Sequence, residues 1–413
     1  NVTNAGIKSV ELDGIYLNGS SFQNMKPKLP EDAAFLKPFH LEDMTTKNPY
    51  YNSRAYKMSY NHGLMNGFLS AQLFNRGDAE LVMGYYDYHD LPYYWDFASE
   101  YVLADNFFAP SMSTGLTNEL YLYRGSPIDY QKNGSFGTVS SINRTIFNDL
   151  QDNGISWKIY AEDDVQTLNP TNNVPLGGAR NVLKMLPGFL ENETLKSNIA
   201  GLREYFRDLS TYDFPSVAYI VAPSMSETAP KDPSVGQEFV AALVLALMKS
   251  KHWNDSVFIV TYRESGGWYD HVQPPTRGGE LYGFRVPTLI ISPFSHKGYV
   301  DSTLYDATSI LKFIEYNYGL PPPTNRDADA NNMLNAFNFT EPPRKPIEVQ
   351  EISRERLLIR SEDVTGINSV YVFSTLALLS IIILWHYQNR RMRNHLRFIS
   401  MIRSFSHKIS GHH

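Results

Sequence analysis

The sequence has no cysteine in 413 residues. That excludes disulfides, thiolate-ligated metals and a thiol nucleophile. Charge is also sparse, at 19% against 42% hydrophobic residues, so the chain is globular rather than disordered. Its length is enough to bury a large core. Acid is missing from one end: residues 387–413 hold Arg390, Arg391, Arg393, Arg397, Arg403 and Lys408 and no Asp or Glu. Without those six, residues 1–386 set 31 basic against 43 acidic side chains, a net charge of −12. A body that acidic, with no basic stripe, argues against nucleic acid as a partner. No internal repeat is present. No signal peptide opens the sequence; export of the body requires one, so it is expected to have been removed or to lie upstream.

Long hydrophobic runs are absent except for one. Residues 367–385, INSVYVFSTLALLSIIILW, begin at Ile367, end at Trp385 and contain no charge. That length spans a bilayer core, and Trp385 and Tyr387 fall where interfacial aromatics belong. The arginines that follow place the tail in the cytoplasm and the body outside. Asn-X-Ser/Thr sequons at Asn1, Asn18, Asn133, Asn143, Asn192, Asn254 and Asn338 all lie in the body, as a glycosylated ectodomain would have them. The expected organisation is an ectodomain at 1–345, a stalk at 346–366, a transmembrane helix at 367–387 and a basic cytoplasmic tail at 388–413. In the tail Leu396, Ile399, Ile402, Phe405 and Ile409 recur at helical spacing beside basic residues. That stripe suits either an anionic membrane face or a partner's membrane helices.

Within the body, apolar periodicity predicts helices at 60–74, 95–103, 118–123, 237–249 and 309–318, with Thr117 opening the third. Strands are expected at 155–160, 217–221, 257–260 and 286–292. Alternating strands and helices predict an α/β fold with a parallel sheet. One strand end is rich in chemistry. In SVFIVTYRESGGWYDHVQPP, residues 256–275, a buried strand runs into Arg263, Glu264, a Gly266-Gly267 turn, Asp270 and His271. Carboxyl ends of strands are where ligands bind in open α/β sheets. The residues alone leave two readings open, a metal or phosphate site and a solvated loop.

Longer blocks narrow the choice. PYYWDFASEYVLADNFFAPSMSTGLTNELYLYRGS, ISWKIYAED, FPSVAYIVAPSMSE, VFIVTYRESGGWYDHVQPP, GFRVPTLIISPFSHKGYV, STLYDATSILKFIE and RDADANNMLNAFNF follow one another between residues 60 and 339. In these blocks the chain resembles the phosphoesterase family that contains the bacterial phospholipases C and a group of acid phosphatases. The resemblance implies an alkaline-phosphatase-like α/β/α sandwich and phosphoester hydrolysis at a divalent metal. It implies Glu264 as a metal-ligand position and Asn118, Asp270, His271 and Asp306 as site positions.

The departures from the family pattern are as informative. Gly115 stands at the nucleophile position, and Thr117 is a displaced hydroxyl at best. Arg263 stands at the second acidic ligand position, and a guanidinium cannot ligate a cation. Ala307 replaces a His, Ser226, Glu227 and Thr228 stand where another His is expected, and the early Glu-Asn pair is not recognisable. Arg263 is expected to occupy the metal's place and neutralise Glu264 or Asp270. The resulting expectation is a membrane-anchored extracellular pseudoenzyme with no cofactor, serving as a binding or structural subunit of a cell-surface complex with other membrane proteins. The alternative is an active metal-dependent phosphoesterase working through Thr117, Asn118 and His271.

Overall fold

A computed structural model describes residues 37–74, 78–127, 144–161, 183, 186, 188–222 and 225–347, and the backbone of two paired strands, β1 (Ile15–Tyr16) and β2 (Phe35–Leu36). The chain divides into Asn1–Glu348 and Val349–His413, and the described residues all belong to the first unit. The sequence-predicted transmembrane stretch and tail therefore lie outside the described residues. Among the described residues no helix is long and apolar enough to cross a membrane.

Two sheets carry the fold. One has the order β13-β5-β12-β9, from β5 (Val102–Ala104), β9 (Phe258–Thr261), β12 (Thr288–Ile291) and β13 (Tyr299–Asp301). The other is wholly parallel, β7-β6-β8, from β6 (Trp157–Ala161), β7 (Ile199–Gly201) and β8 (Val217–Val221). Runs of three to five residues rich in β-branched and aromatic side chains supply these strands, as buried pleated surfaces require. The α/β class is as expected, but the all-parallel sheet is not. β12 runs antiparallel to both β5 and β9. β9 lies at the edge of its sheet, which is why it is half-buried rather than buried as its sequence suggests.

Three predicted helices also change. The run over 60–74 is broken into α1 (Ser53–Tyr60) and α2 (Phe68–Phe74). Asn61 closes α1 in the left-handed region at φ 40°, a conformation Asn tolerates better than most residues, and the apolar periodicity does not register it. The helix expected at 95–103 is α3 (Pro92–Glu100); proline at its first turn presets the backbone, and its predicted end is instead β5. α4 (Gly115–Arg124) begins earlier than Thr117, with Thr114 at the cap position and Gly125 closing it at φ 67°.

The remaining helices are α5 (Ile146–Asp152), α6 (Glu193–Lys196), α7 (Leu202–Leu209), α8 (Pro233–Lys249), α9 (Ala307–Tyr318) and α10 (Asn325–Asp329). α4 packs on α9, and both feed apolar side chains to two cores. Leu120, Tyr123, Phe147, Trp157, Ile159 and Leu311 close one core beside the parallel sheet. Val102, Phe107, Ile290, Tyr305 and Ile310 close the other. Each fully buried large side chain there is worth about 1.5–3 kcal/mol over exposure. This packing fixes the amino ends of α4 and α9 beside the carboxyl end of β9.

Candidate active site

β9 delivers Tyr262, Arg263 and Glu264, and the chain then turns through Gly266 and Gly267 at φ 68° and 87°. Only glycine adopts both angles without strain. Glu264 and Ser265 meet Tyr56, Ser111, Asn118 and Phe284 around one small cavity. The Tyr56 hydroxyl donates to Glu264 Oε2 at 2.9 Å. Burial pushes the Glu264 carboxyl up, while the Tyr56 hydroxyl, the Arg263 charge and the Gly115 amide each favour its ionised form. Gly115 is pressed against this group. A Cβ on it would lie 2.3 Å from Glu264 Oε1 and 2.6 Å from Arg263 Nε.

Three other acids of the region each meet an arginine. Arg263 Nη1 donates to Glu119 Oε2 at 2.8 Å, one helical position beyond Asn118. The expected pairing of Arg263 with Glu264 or Asp270 is therefore corrected: its charge acts on Glu264, but its hydrogen-bonded partner is Glu119. Asp270 is buried and held by Arg285, whose Nη2 lies 2.7 Å from Oδ1 and whose Nε lies 3.0 Å from Oδ2. The backbone amides of Arg285 and Val272 donate to the same carboxylate. Asp306 caps α9 by accepting from the Thr308 amide at 2.8 Å, and its other oxygen takes Arg326 Nη2 at 2.6 Å. Arg326 also donates to the Pro110 carbonyl and lies between the rings of Tyr121 and Tyr282, at 4.6 and 4.5 Å.

The predicted catalytic residues separate in space and role. Asn118 is buried, and its side chain is fully committed. Its Oδ1 accepts from the Ser111 amide and hydroxyl at 2.9 and 2.8 Å, and its Nδ2 donates to the carbonyls of Ser111 and Ser113. It latches the 111–113 loop to α4. Thr117 is a third-position helical residue, with its hydroxyl 3.3 Å from that of Thr114. His271 is exposed. Glu227, at the place of an expected His, is half-buried and accepts from the hydroxyls of Tyr94, at 2.5 Å, and Tyr262. Burial raises its pKa. Of the expected glycosylation positions, Asn192 and Asn254 are exposed and Asn338 is half-buried; Asn1, Asn18, Asn133 and Asn143 lie outside the described residues.

A divalent metal needs several oxygen or imidazole donors on one centre. At this edge Arg263 is itself a cation, Ala307 offers no donor, and Asp270 and Asp306 are spent on arginines and backbone amides. Glu264 remains as a carboxylate, and the imidazole among these positions, His271, is solvent-exposed. The residues at the family's metal positions do not fit a divalent metal. Sequence reasoning did not single out Glu119, Arg285, Arg326 or Tyr56. Arg285 and Arg326 stand in the quoted blocks GFRVP and RDADANN, so their presence was legible and their partners were not.

Residues 6–321 match the model of the Phosphoesterase family, and the chain belongs to that family. It is similar to Phospholipase C A of Mycobacterium tuberculosis, 27% identical over 365 residues, 74% of this chain and 68% of that protein. It is also similar to the non-hemolytic phospholipase C of Pseudomonas aeruginosa, 25% identical over 79% of this chain and 53% of that protein. The match to the non-specific phospholipase C1 of Arabidopsis thaliana is 25%, over 68% of this chain and 56% of that protein. The chain thus spans about half to two thirds of the length of these relatives. Among solved structures, a protein in the alkaline phosphatase superfamily from Vibrio parahaemolyticus matches 58% of this chain and 62% of that chain, at 11% identity and TM-score 0.38. The lipoteichoic acid synthase LtaP from Listeria monocytogenes matches 69% of this chain and 75% of that chain, at 10% identity and TM-score 0.38. Those likenesses are too distant to bear on fold or activity.

Proposed function

We propose that this chain is a catalytically silent member of the phosphoesterase family, an alkaline-phosphatase-like ectodomain that serves as a binding or structural subunit of a membrane complex. The observation that carries this reading is the pairing of acids with the chain's own arginines: Glu119 with Arg263, Asp270 with Arg285 and Asp306 with Arg326. Electrostatic stabilisation of the transferring phosphoryl group is usually the largest catalytic term. Here the strand-end charge is balanced internally, and Gly115 supplies no nucleophile. The membrane anchoring, extracellular placement and glycosylation rest on the sequence features of residues 367–413 and the seven sequons.

A second reading is an active phosphoesterase with Thr117 as nucleophile. It is favoured by the names of the relatives, which are phospholipases C, and by the adjacent hydroxyls of Thr114 and Thr117 at the start of α4. The test is turnover by the full chain on bis-p-nitrophenyl phosphate, p-nitrophenyl phosphate and p-nitrophenyl phosphorylcholine, each with Mg²⁺, Ca²⁺, Mn²⁺ or Zn²⁺ added. No turnover above buffer is expected. Hydrolysis that disappears in Thr117→Ala or Thr114→Ala would overturn the silent reading in favour of the second.

A further inference from the structure

We infer that His40, Asp87 and Asp90 form a binding site for one borderline divalent cation, of which Zn²⁺ is the best match to the donors. Two distant segments build it. β3 (Phe39–His40) pairs in parallel with β4 (Gly84–Tyr85), in the register His40 to Tyr85. The turn that follows β4 then brings Asp87 and Asp90 to the His40 ring. His40 Nε2 lies 2.7 Å from Asp90 Oδ2 and 4.0 Å from Asp87 Oδ1. One donor atom from each residue falls within 4.8 Å of the other two. A tetrahedral ion with bonds of about 2.0–2.1 Å holds its ligands about 3.3 Å apart. The two His40 separations bracket that spacing and the Asp87 and Asp90 donors lie within 4.8 Å of each other, so side-chain rotations close the triangle and leave a fourth position for water.

The donors are held before any ion arrives. Asp90 Oδ2 accepts from the Asp87 amide at 2.8 Å, and the Asp90 carbonyl accepts from Gln237 Nε2 at 3.0 Å. Gln237 is buried on α8, so the turn is tied to the body of the fold. Asp87 Oδ1 accepts from the His89 amide at 2.7 Å, and the His89 ring nitrogen Nδ1 lies 3.1 Å from the same oxygen. That imidazole orients the carboxylate from outside, as metal-bound carboxylates commonly require. An imidazole with two carboxylates selects Zn²⁺ over Mg²⁺ and Ca²⁺, which prefer all-oxygen sets. The side chains are open enough for an ion to enter from solvent, with Asp90 the least exposed at 12%. None of the three belongs to the strand-end site around Glu264. The ion's effect is to clasp the segment at 39–40 onto the turn before α3.

The experiment uses the full chain, stripped with chelator and titrated with ZnCl₂ by calorimetry, with bound zinc counted by mass spectrometry and thermal unfolding followed in parallel. One zinc per chain and a rise in Tm are expected, with Mg²⁺ giving neither. Residues His407, His412 and His413 in the tail can bind zinc weakly, so the comparison between variants decides. His40→Ala and His40→Gln, at a side chain 40% exposed, are expected to weaken the site at least tenfold and remove the Tm rise. Glu264→Gln is expected to retain both. Zinc bound equally by His40→Ala, or no stoichiometric zinc bound by the unaltered chain at 0.1 mM, overturns the site.

Discussion

At Gly115 the missing side chain is a packing requirement as well as a chemical loss. Adding a Cβ drives it into Glu264 and Arg263, and neither can yield freely, because each is held by Tyr56 or Glu119. Gly115→Ser, the change that would restore a hydroxyl at the family's nucleophile position, is expected to cost about 1–3 kcal/mol through overpacking and to give no turnover. A melting temperature at or above that of the unaltered chain would remove this account of Gly115. Arg285 makes a sharper case. Its removal leaves Asp270 buried without its cation, which typically costs about 3–5 kcal/mol. Arg285→Met should show that loss in urea unfolding, and Asp270→Asn added to it should recover part, because the two changes act on one pair. Strict additivity of the two losses counts against the pair. Asp270 was legible in the sequence within a chemical cluster at a strand end and Asp306 through the family resemblance, whereas Glu119 was not. None of the three pairings was legible, since Arg285 lies 15 positions from Asp270, Arg326 lies 20 from Asp306 and Arg263 lies 144 from Glu119. No spacing rule links residues so far apart; only packing brings them together.

Between elements, the junction of α9 and α10 stores an ionisable pair. Glu315 and Asp327 are buried, and both Glu315 oxygens and Asp327 Oδ2 lack any other hydrogen-bond partner. Burial and the facing Asp327 carboxylate raise Glu315 from 4.5 to about 8. A proton between the two carboxyls resolves all of this. The folded chain therefore holds a proton that the unfolded chain releases above its ordinary pKa. The stabilisation is complete below about pH 4.5 and is lost progressively as pH rises toward about 8. Glu315→Gln keeps a donor toward Asp327 and cannot ionise. Its Tm should gain on that of the unaltered chain steadily between pH 5 and pH 8, and a pH-independent difference would falsify the shared proton. Element positions were readable where periodicity was long, as at α8, α9 and β8. They were misread where one residue decided, as at Asn61, or where strand direction depends on a neighbour that the sequence does not name, as at β12.

At the scale of the whole molecule, the proposed topology rests on charge and hydropathy. The body carries −12 and the last 27 residues +6, on either side of the one uncharged run, residues 367–385. Moving six cations across a bilayer is opposed by the membrane potential, whereas an anionic inner leaflet holds each nearby basic residue by about 1 kcal/mol. Both terms favour a cytoplasmic tail and an outer body. The sequons follow the same division, with all seven before residue 339. On this topology, protease added to intact cells should release the body and leave a fragment containing residues 367–413 with the membrane. An epitope placed after His413 should resist the protease until the cells are permeabilised. Glycosidase treatment should shift the mobility of the released body and not that of the retained fragment. A tail epitope cleaved from outside would invert the orientation. The acidic body would then face the cytoplasm, and the reading of it as an ectodomain in a cell-surface assembly would fall with that result.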